Sequence, residues 1–248
     1  DVYKRQVHDI MAYPGEWVDD YTLAWGPLEY SPLDPCVSYL AVTYNPDGSY
    51  DWYLMEWPKN GAEEDGVVDA WGVVDPYPDE LDSAGGFWID FDLMRQMDPT
   101  REAQGQVYVE YAEQAGVAAV QAYFDAVAGE PGDEAISAYY GYTAEVAGAG
   151  AMLFGFLADL NGTGTAEIMA VYSRWDDQGA GRADSTVTGG DLGTDVVQVS
   201  ECWGADFAMV YHEDDAGWTP LAGDEADCAF TPGEWPDLSD LDQDPAQD

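Results

Sequence analysis

Oxygen-bearing side chains alternate along one short stretch of the chain, residues 159–167 (DLNGTGTAE). They are Asp159, Asn161, Thr163, Thr165 and Glu167. A hard cation such as calcium takes several oxygen ligands at once, and a short loop with such side chains at alternate positions can wrap them around one ion. Gly162 and Gly164 allow the chain to turn where a Cβ atom would not fit. The spacing therefore predicts a calcium site with these five side chains as ligands.

The loop does not follow the EF-hand pattern, because the twelfth position counted from Asp159 is Ala170 and not a bidentate Glu. The run DLNGTGTAEIMAV resembles instead the calcium loops of FG-GAP and VCBS repeats, in which an Asp- and Asn-rich loop with glycine joins two strands. The resemblance covers this loop and the strand after it, without a second copy, and Thr163 replaces the usual acidic ligand. It implies calcium as a cofactor. A Gly/Asn hairpin turn without an ion is the alternative.

Apolar and alternating segments flank this loop and predict the strands that would position it. They are AMLFGFLA at 151–158, IMAVYSRW at 168–175 and RADSTVT at 182–188. The clearest hairpin elsewhere joins 37–44 to 50–57 through Asn45-Pro46-Asp47-Gly48, a turn in which Pro presets φ and Gly closes the bend. Short strands with turn residues between them recur along the whole chain. The pattern predicts an all-β fold, an antiparallel meander that forms a barrel, a curved half-barrel or a sandwich.

Two segments leave room for helix in this fold. Residues 92–97 are predicted to form one helical turn that stops before Asp98-Pro99. Residues 117–127 place four apolar side chains on one helical face. The preceding EQAG, however, is typical of a hairpin turn, and we therefore favour a strand for this segment.

The chain is expected to hold one β domain over residues 7–230. Residues 231–248 are acidic, contain proline and offer little to bury, and are predicted to be disordered. Residues 1–6 (DVYKRQ) carry two of the seven basic residues and resemble a translated sequencing-adaptor scar, so the true N-terminus is expected to be missing.

The charge of the chain limits its partners. Seven basic residues oppose 50 acidic ones, which gives a net charge of −43. Such a field repels nucleic acid and anionic membrane surfaces, and we expect neither as a partner. No stretch approaches the roughly 18 apolar residues of a membrane span. The composition is similar to that of acidic, uncharacterised bacterial envelope proteins, which implies an extracellular or cell-envelope location.

The three cysteines form no CxxC or zinc pattern. We predict a disulfide between Cys202 and Cys228 near the end of the fold, with Cys36 paired to Cys202 as the alternative. Because the chain has so few cations, Arg174 and Arg182 are expected to pair with carboxylates.

The residues favour a non-enzymatic domain. His212 is the one credible imidazole base, and no GxSxG elbow accompanies it. Two other classes stay open. A carbohydrate-binding module would show a row of exposed aromatic side chains on one sheet face. A glycoside hydrolase would place two carboxylates across a cleft, about 5 to 9.5 Å apart.

Overall fold

A computed structural model describes residues 14–29, 31–76, 83–130, 132, 135–160, 162–217 and 219–233. The predicted adaptor scar at 1–6, most of the predicted tail and the candidate ligand Asn161 lie outside these residues.

The first half of the chain contains eight strands and one α-helix. The strands are β1 (Glu16–Trp17), β2 (Thr22–Leu28), β3 (Cys36–Tyr44), β4 (Tyr50–Pro58), β5 (Val67–Val74), β6 (Ser83–Asp90), β7 (Gln104–Gln114) and β8 (Val117–Ala128). Helix α1 (Phe91–Met97) follows β6 and begins where the Asp90 carboxylate accepts the Leu93 N–H at 2.9 Å. A short 3₁₀ turn occupies Glu63–Asp65.

The second half adds seven strands. They are β9 (Ile136–Glu145), β10 (Gly150–Ala158), β11 (Glu167–Trp175), β12 (Gly181–Gly189), β13 (Val196–Trp203), β14 (Met209–Asp214) and β15 (Ala222–Gly223). Two further 3₁₀ turns lie at Gly190–Leu192 and Glu225–Asp227.

The strands follow one another in chain order, and each is hydrogen-bonded to its neighbours in sequence. No pairing among the described residues joins β1 to β15, so the sheet is open rather than a closed barrel. The predicted all-β antiparallel meander with one short helix is thereby confirmed. Residues 117–127 form a strand, as favoured, because Ala115 and Gly116 adopt positive φ and turn the chain back after β7.

The chain divides into two compact units. The first comprises Asp1–Tyr111 and Ala126–Ala135, and the second comprises Ala112–Asp125 and Ile136–Asp248. The single domain expected over residues 7–230 stays a prediction.

The first unit buries an apolar cluster on one face of strands β2 to β5. Its centre is Trp25, Leu40, Leu54 and Ala70, one from each strand. Leu40 pairs with Leu54 across β3 and β4, and Leu54 with Ala70 across β4 and β5. Every second residue of a strand points to the same face, so this register places all four side chains together.

The two faces of the second unit are covered to different degrees. Leu153, Ala170, Arg182 and Cys202 are buried and share one face, according to the register of β10 to β13. The opposite face carries a row of larger side chains that stay half-buried, among them Tyr140, Tyr142, Phe154, Phe156, Met169 and Trp175. The second face therefore leaves aromatic surface accessible.

Candidate functional site

The predicted calcium loop joins β10 to β11 and is organised by Asp159. Its Oδ1 accepts the N–H groups of Gly162 and Thr163 at 2.8 and 3.0 Å, and its Oδ2 accepts the Gly164 N–H at 2.6 Å. Gly162 and Gly164 both have positive φ. A carboxylate that accepts several backbone N–H groups caps a turn in the way that Asp caps a helix.

The other predicted ligands are distributed unevenly around this turn. Glu167 is 2% exposed, and its Oε2 accepts the Leu160 N–H at 2.9 Å. The hydroxyls of Thr163 and Thr165 lie 3.1 Å apart on the exposed side. The described part of the chain holds no group of three or more His, Cys, Asp or Glu side chains placed to bind a metal ion. Calcium binding by these residues and a hairpin turn without an ion both stay predictions.

A second feature is a hairpin turn that occurs four times among the described residues, three of them in the second unit. The windows are YNPDGSY (44–50), AEVAGAG (144–150), WDDQGAG (175–181) and WGADFAM (203–209). Each window pairs its first residue with its seventh. In each, the second residue accepts the N–H of the fifth and donates its own N–H to the sixth. This is a type I turn followed by a left-handed residue, a common three-residue hairpin connection.

The fifth position of the turn explains one unusual residue. Gly48, Gly148 and Gly179 occupy it with φ of 95°, 105° and 91°. In the last window the same position holds Phe207 with φ of 60°, and its side chain is 75% exposed. A bulky residue in the left-handed region is strained, and such strain clusters at functional sites.

The first position of the turn carries tryptophan in the last two windows, and both indoles pack alike. Trp175 Nε1 donates to the Gly148 carbonyl at 2.9 Å, and Trp203 Nε1 donates to the Gly179 carbonyl at 2.9 Å. A Cβ atom added to Gly150 would lie 2.6 Å from the Trp175 ring. A Cβ atom added to Gly181 would lie 2.2 Å from the Trp203 ring. Each indole therefore packs against a glycine in the preceding hairpin and makes one hydrogen bond to it.

These residues line an open cleft at the edge of the second unit, which we call the aromatic cleft. Trp175, Trp203 and Phe207 supply its aromatic walls, and Asp177 and Gln178 supply polar groups, in a volume of about 530 Å³. The two tryptophans stand on β11 and β13 with β12 between them. Two inter-strand spacings separate their backbones by about 10 Å.

The aromatic surface continues from the cleft along the sheet face. The Tyr142 ring lies 5.9 Å from that of Trp175 and stacks with Tyr140 at 6.5 Å. All three side chains are half-buried. A row of accessible aromatic side chains on one sheet face is what a carbohydrate-binding module would show.

The covered face of the second unit is held by an ion-pair network, as predicted for the two arginines. Arg182 is 1% exposed, and its Nε donates to both Asp184 oxygens at 2.8 and 3.0 Å while its Nη1 donates to Glu225 Oε1 at 2.9 Å. Arg174 Nη2 lies 3.5 Å from Asp184 Oδ2 and donates to the Thr231 carbonyl at 2.8 Å. The carboxylates of Asp184 and Glu225 are thus paired with arginine guanidinium groups.

The disulfide closes the same region. Cys202 and Cys228 are bonded, as predicted, with their Cα atoms 5.6 Å apart. Cys36 is a free, buried thiol in the first unit, so its pairing with Cys202 is excluded. Burial raises the pKa of this thiol.

His212 makes a local contact. Its Nε2 is hydrogen-bonded to Thr219 Oγ1, and the Asp214 carboxylate accepts the Thr219 N–H at 2.9 Å. The contact ties together the two sides of the loop after β14.

The sequence reasoning did not single out Trp175, Trp203 and Phe207 as a site. The signal was present in the recurrence of seven-residue windows, WDDQGAG and WGADFAM, that begin 28 residues apart. The two windows share only their first and sixth residues, and the fifth position, which is glycine in WDDQGAG, is phenylalanine in WGADFAM.

The described helices are all too short, and none is apolar enough, to cross a membrane. The chain matches no protein-family model, no curated protein and no solved structure.

Proposed function

We propose that this chain is a non-enzymatic, extracellular or cell-envelope protein whose second unit binds a polysaccharide in the aromatic cleft. The observation that carries the proposal is the pair of indoles on Trp175 and Trp203, held in one geometry two strands apart. Pyranose rings present apolar C–H faces that pack on such rings, and the separation of about 10 Å compares with the length of a disaccharide.

The rigidity of the two indoles supports binding rather than simple exposure. Each ring packs against a glycine and donates its N–H to a turn carbonyl. The two side chains therefore lose little conformational entropy when a ligand binds. Phe207 adds a third aromatic surface at a strained position. Asp177 and Gln178 supply carboxylate and amide groups that can form hydrogen bonds with the hydroxyls of a sugar.

The charge of the protein supports a neutral or cationic polymer over an acidic one. With a net charge of −43, the chain repels uronates and sulfated sugars, and the carboxylates of Asp176 and Asp177 line the cleft itself.

A hydrolytic role is less well supported by the geometry. The acids nearest the covered face, Asp184 and Glu225, are bound by Arg182, and Ser200 Oγ also donates to Asp184 at 2.7 Å. A carboxyl group that acts on a glycosidic bond must be within reach of the substrate, and these two are already engaged by the guanidinium. This pairing supports the non-enzymatic interpretation.

Binding to insoluble polysaccharides tests the proposal. Purified protein is incubated with cellulose, chitin, mannan and xylan in separate pull-downs, and bound protein is measured against free protein. Trp175→Ala and Trp203→Ala should each reduce the affinity about fivefold, since one stacked ring contributes about 1 kcal/mol. Trp17→Ala, at an exposed tryptophan of the first unit, is the matched control. Equal binding by all four proteins would refute the cleft as the site.

A further inference from the structure

A polar cluster lies within the first unit, where β3, β4 and β5 meet the segment after α1. Asp69 is its most deeply placed member, with an exposed fraction of 0%. Leu54 pairs with Ala70 and Met55 with Val68, so Asp69 is the extra residue of a β-bulge on β5. A bulge redirects a side chain out of the regular alternation. The bulge thus places the carboxyl group of Asp69 in a buried environment.

The neighbour of Asp69 in this cluster is Glu56, which is already bound by donors on one oxygen. Arg101 Nη2 donates to Glu56 Oε1 at 2.9 Å, and Ser38 Oγ reaches the same oxygen at 3.2 Å. Arg101 Nη2 also lies 2.7 Å from Oε2, but outside hydrogen-bonding geometry, and Oε2 has no donor among the described residues. The guanidinium of Arg101 is therefore already engaged by Glu56.

Both oxygens of Asp69 are buried without a donor from any described residue. Glu56 pairs with Val67, two residues before Asp69, and its Oε2 is likewise buried without a donor, so the two carboxyl groups are neighbours across β4 and β5. A hydrogen bond with Glu56 is one of the causes that raise the pKa of Asp69. Two ionised carboxylates are both acceptors and cannot bond to each other, so the contact becomes a hydrogen bond only when one group carries a proton. We propose that Asp69 and Glu56 bind one shared proton at neutral pH, held on Asp69 and donated to Glu56, and that its release makes the first unit less stable.

A metal ion in place of this proton is disfavoured by the surroundings. The described residues present no set of three His, Cys, Asp or Glu side chains around a cation position, and Arg101 already occupies one side of Glu56. A proton needs only the two oxygens that the bulge brings together.

The charges around the pair agree with this assignment. Burial first, and then the negative charge of Glu56, raise the pKa of Asp69 from 3.8 to about 8, against the opposing effect of Arg101. On β6 the Asp90 carboxylate is engaged by Leu93 N and Gln106 Nε2, and after α1 the Asp98 carboxylate lies 3.8 Å from Arg101 Nε. The Cys36 thiol on β3 has a raised pKa through burial and donates to the Met97 carbonyl.

The sign of the resulting pH dependence is fixed. Because the folded chain holds the proton up to about pH 8 and the unfolded chain loses it near 3.8, the folded state binds more protons between these values. The stabilisation from proton binding is complete below pH 3.8 and is lost as the pH rises through 8.

Urea unfolding of the full chain between pH 5 and 9.5, in about 1 M NaCl to screen surface repulsion, tests the proposal. Asp69→Asn keeps the shape and supplies a permanent N–H donor to Glu56. The ratio of the wild-type to the variant unfolding constant should rise nearly tenfold per pH unit up to about pH 8 and then level off. Asp20→Asn removes one exposed charge from the same unit and should run parallel to the wild type. Parallel curves for wild type and Asp69→Asn would overturn the proposal.

Two further measurements cover other outcomes. Infrared difference spectra of the folded protein should show a protonated-carboxyl band at pH 7 that disappears above pH 8 and is absent from Asp69→Asn; a wild type without the band overturns the proposal even if the variant does not fold. Glu56→Gln removes the neighbouring charge and should move the loss of that band to lower pH. Stabilisation by calcium or magnesium that requires Asp69 would instead show a bound cation in place of the proton.

Discussion

Phe207 provides the sharpest stability test of the recurring hairpin turn. At most positions alanine is more stable than glycine by roughly 0.5–1 kcal/mol, because glycine loses more backbone freedom on folding. At φ of 60° the left-handed conformation costs a residue with a Cβ atom roughly 1–2 kcal/mol, which glycine does not incur. The order should therefore reverse, with Phe207→Gly more stable than Phe207→Ala by about 0.5–1 kcal/mol.

The comparison of these two variants cancels the loss of the ring, since both remove it. That loss is itself small: the side chain is 75% exposed, and a quarter of the burial energy of a phenylalanine is about 0.5 kcal/mol. Phe207→Gly should thus be close to the wild type in stability. If the ring serves ligand binding, this variant loses affinity for polysaccharide while it keeps its stability.

Urea denaturation followed by circular dichroism measures the difference, and a melting temperature about 1–4 °C higher for the glycine variant checks it. Ala205→Gly, in the same turn at a position without positive φ, is the control and should lower stability. An alanine variant equal to or more stable than the glycine variant would show that residue 207 is not held in the left-handed region.

Four further predictions concern the second unit. Gly181→Ala would put a Cβ atom 2.2 Å from the Trp203 ring and should cost about 1–3 kcal/mol, with a shift in tryptophan fluorescence that is absent if the indole does not lie there. Arg182→Met leaves Asp184 with Arg174 as its only cation among the described residues and leaves the half-exposed Glu225 with none, and it should lower the free energy of unfolding by about 3 kcal/mol. A neutral result in urea titration would contradict the buried network. Reduction of the disulfide should destabilise by about 3 kcal/mol for a sequence separation of 26, measured by melting with and without reductant. Millimolar calcium in high salt should raise the melting temperature only if the loop binds it, and Asp159→Ala should then remove the rise.

The sequence predicted the features of the fold that depend on local chemistry. The Asn45-Gly48 turn, the strand at 117–127, the helix near 92–97 and the Cys202–Cys228 disulfide all follow from turn residues, alternation or pairing, and are confirmed. Register was harder to predict. Asp69 is buried because it lies in a bulge, and the bulge depends on how β4 and β5 align. No local sequence pattern predicts this alignment.

The aromatic cleft could not be predicted from the sequence for a similar reason. Trp175 and Trp203 lie 28 positions apart in the chain. They come to one edge only because a single strand, β12, lies between β11 and β13, so that these two strands run in the same direction. Tryptophan in a β protein most often fills a core, and the partial exposure of these two follows from glycines on neighbouring strands. Such cross-strand relations appear only once the register is known.

The strand order of the meander carries a consequence for how this protein forms and varies. Strands that pair with each other are consecutive in the chain, so no strand has to find a partner from a distant part of the sequence. Assembly can then start at any well-formed turn and extend outward, as in repeat proteins. A hairpin added or deleted as a pair of strands would leave the direction of its neighbours unchanged, which makes two strands and one turn the natural unit of length variation.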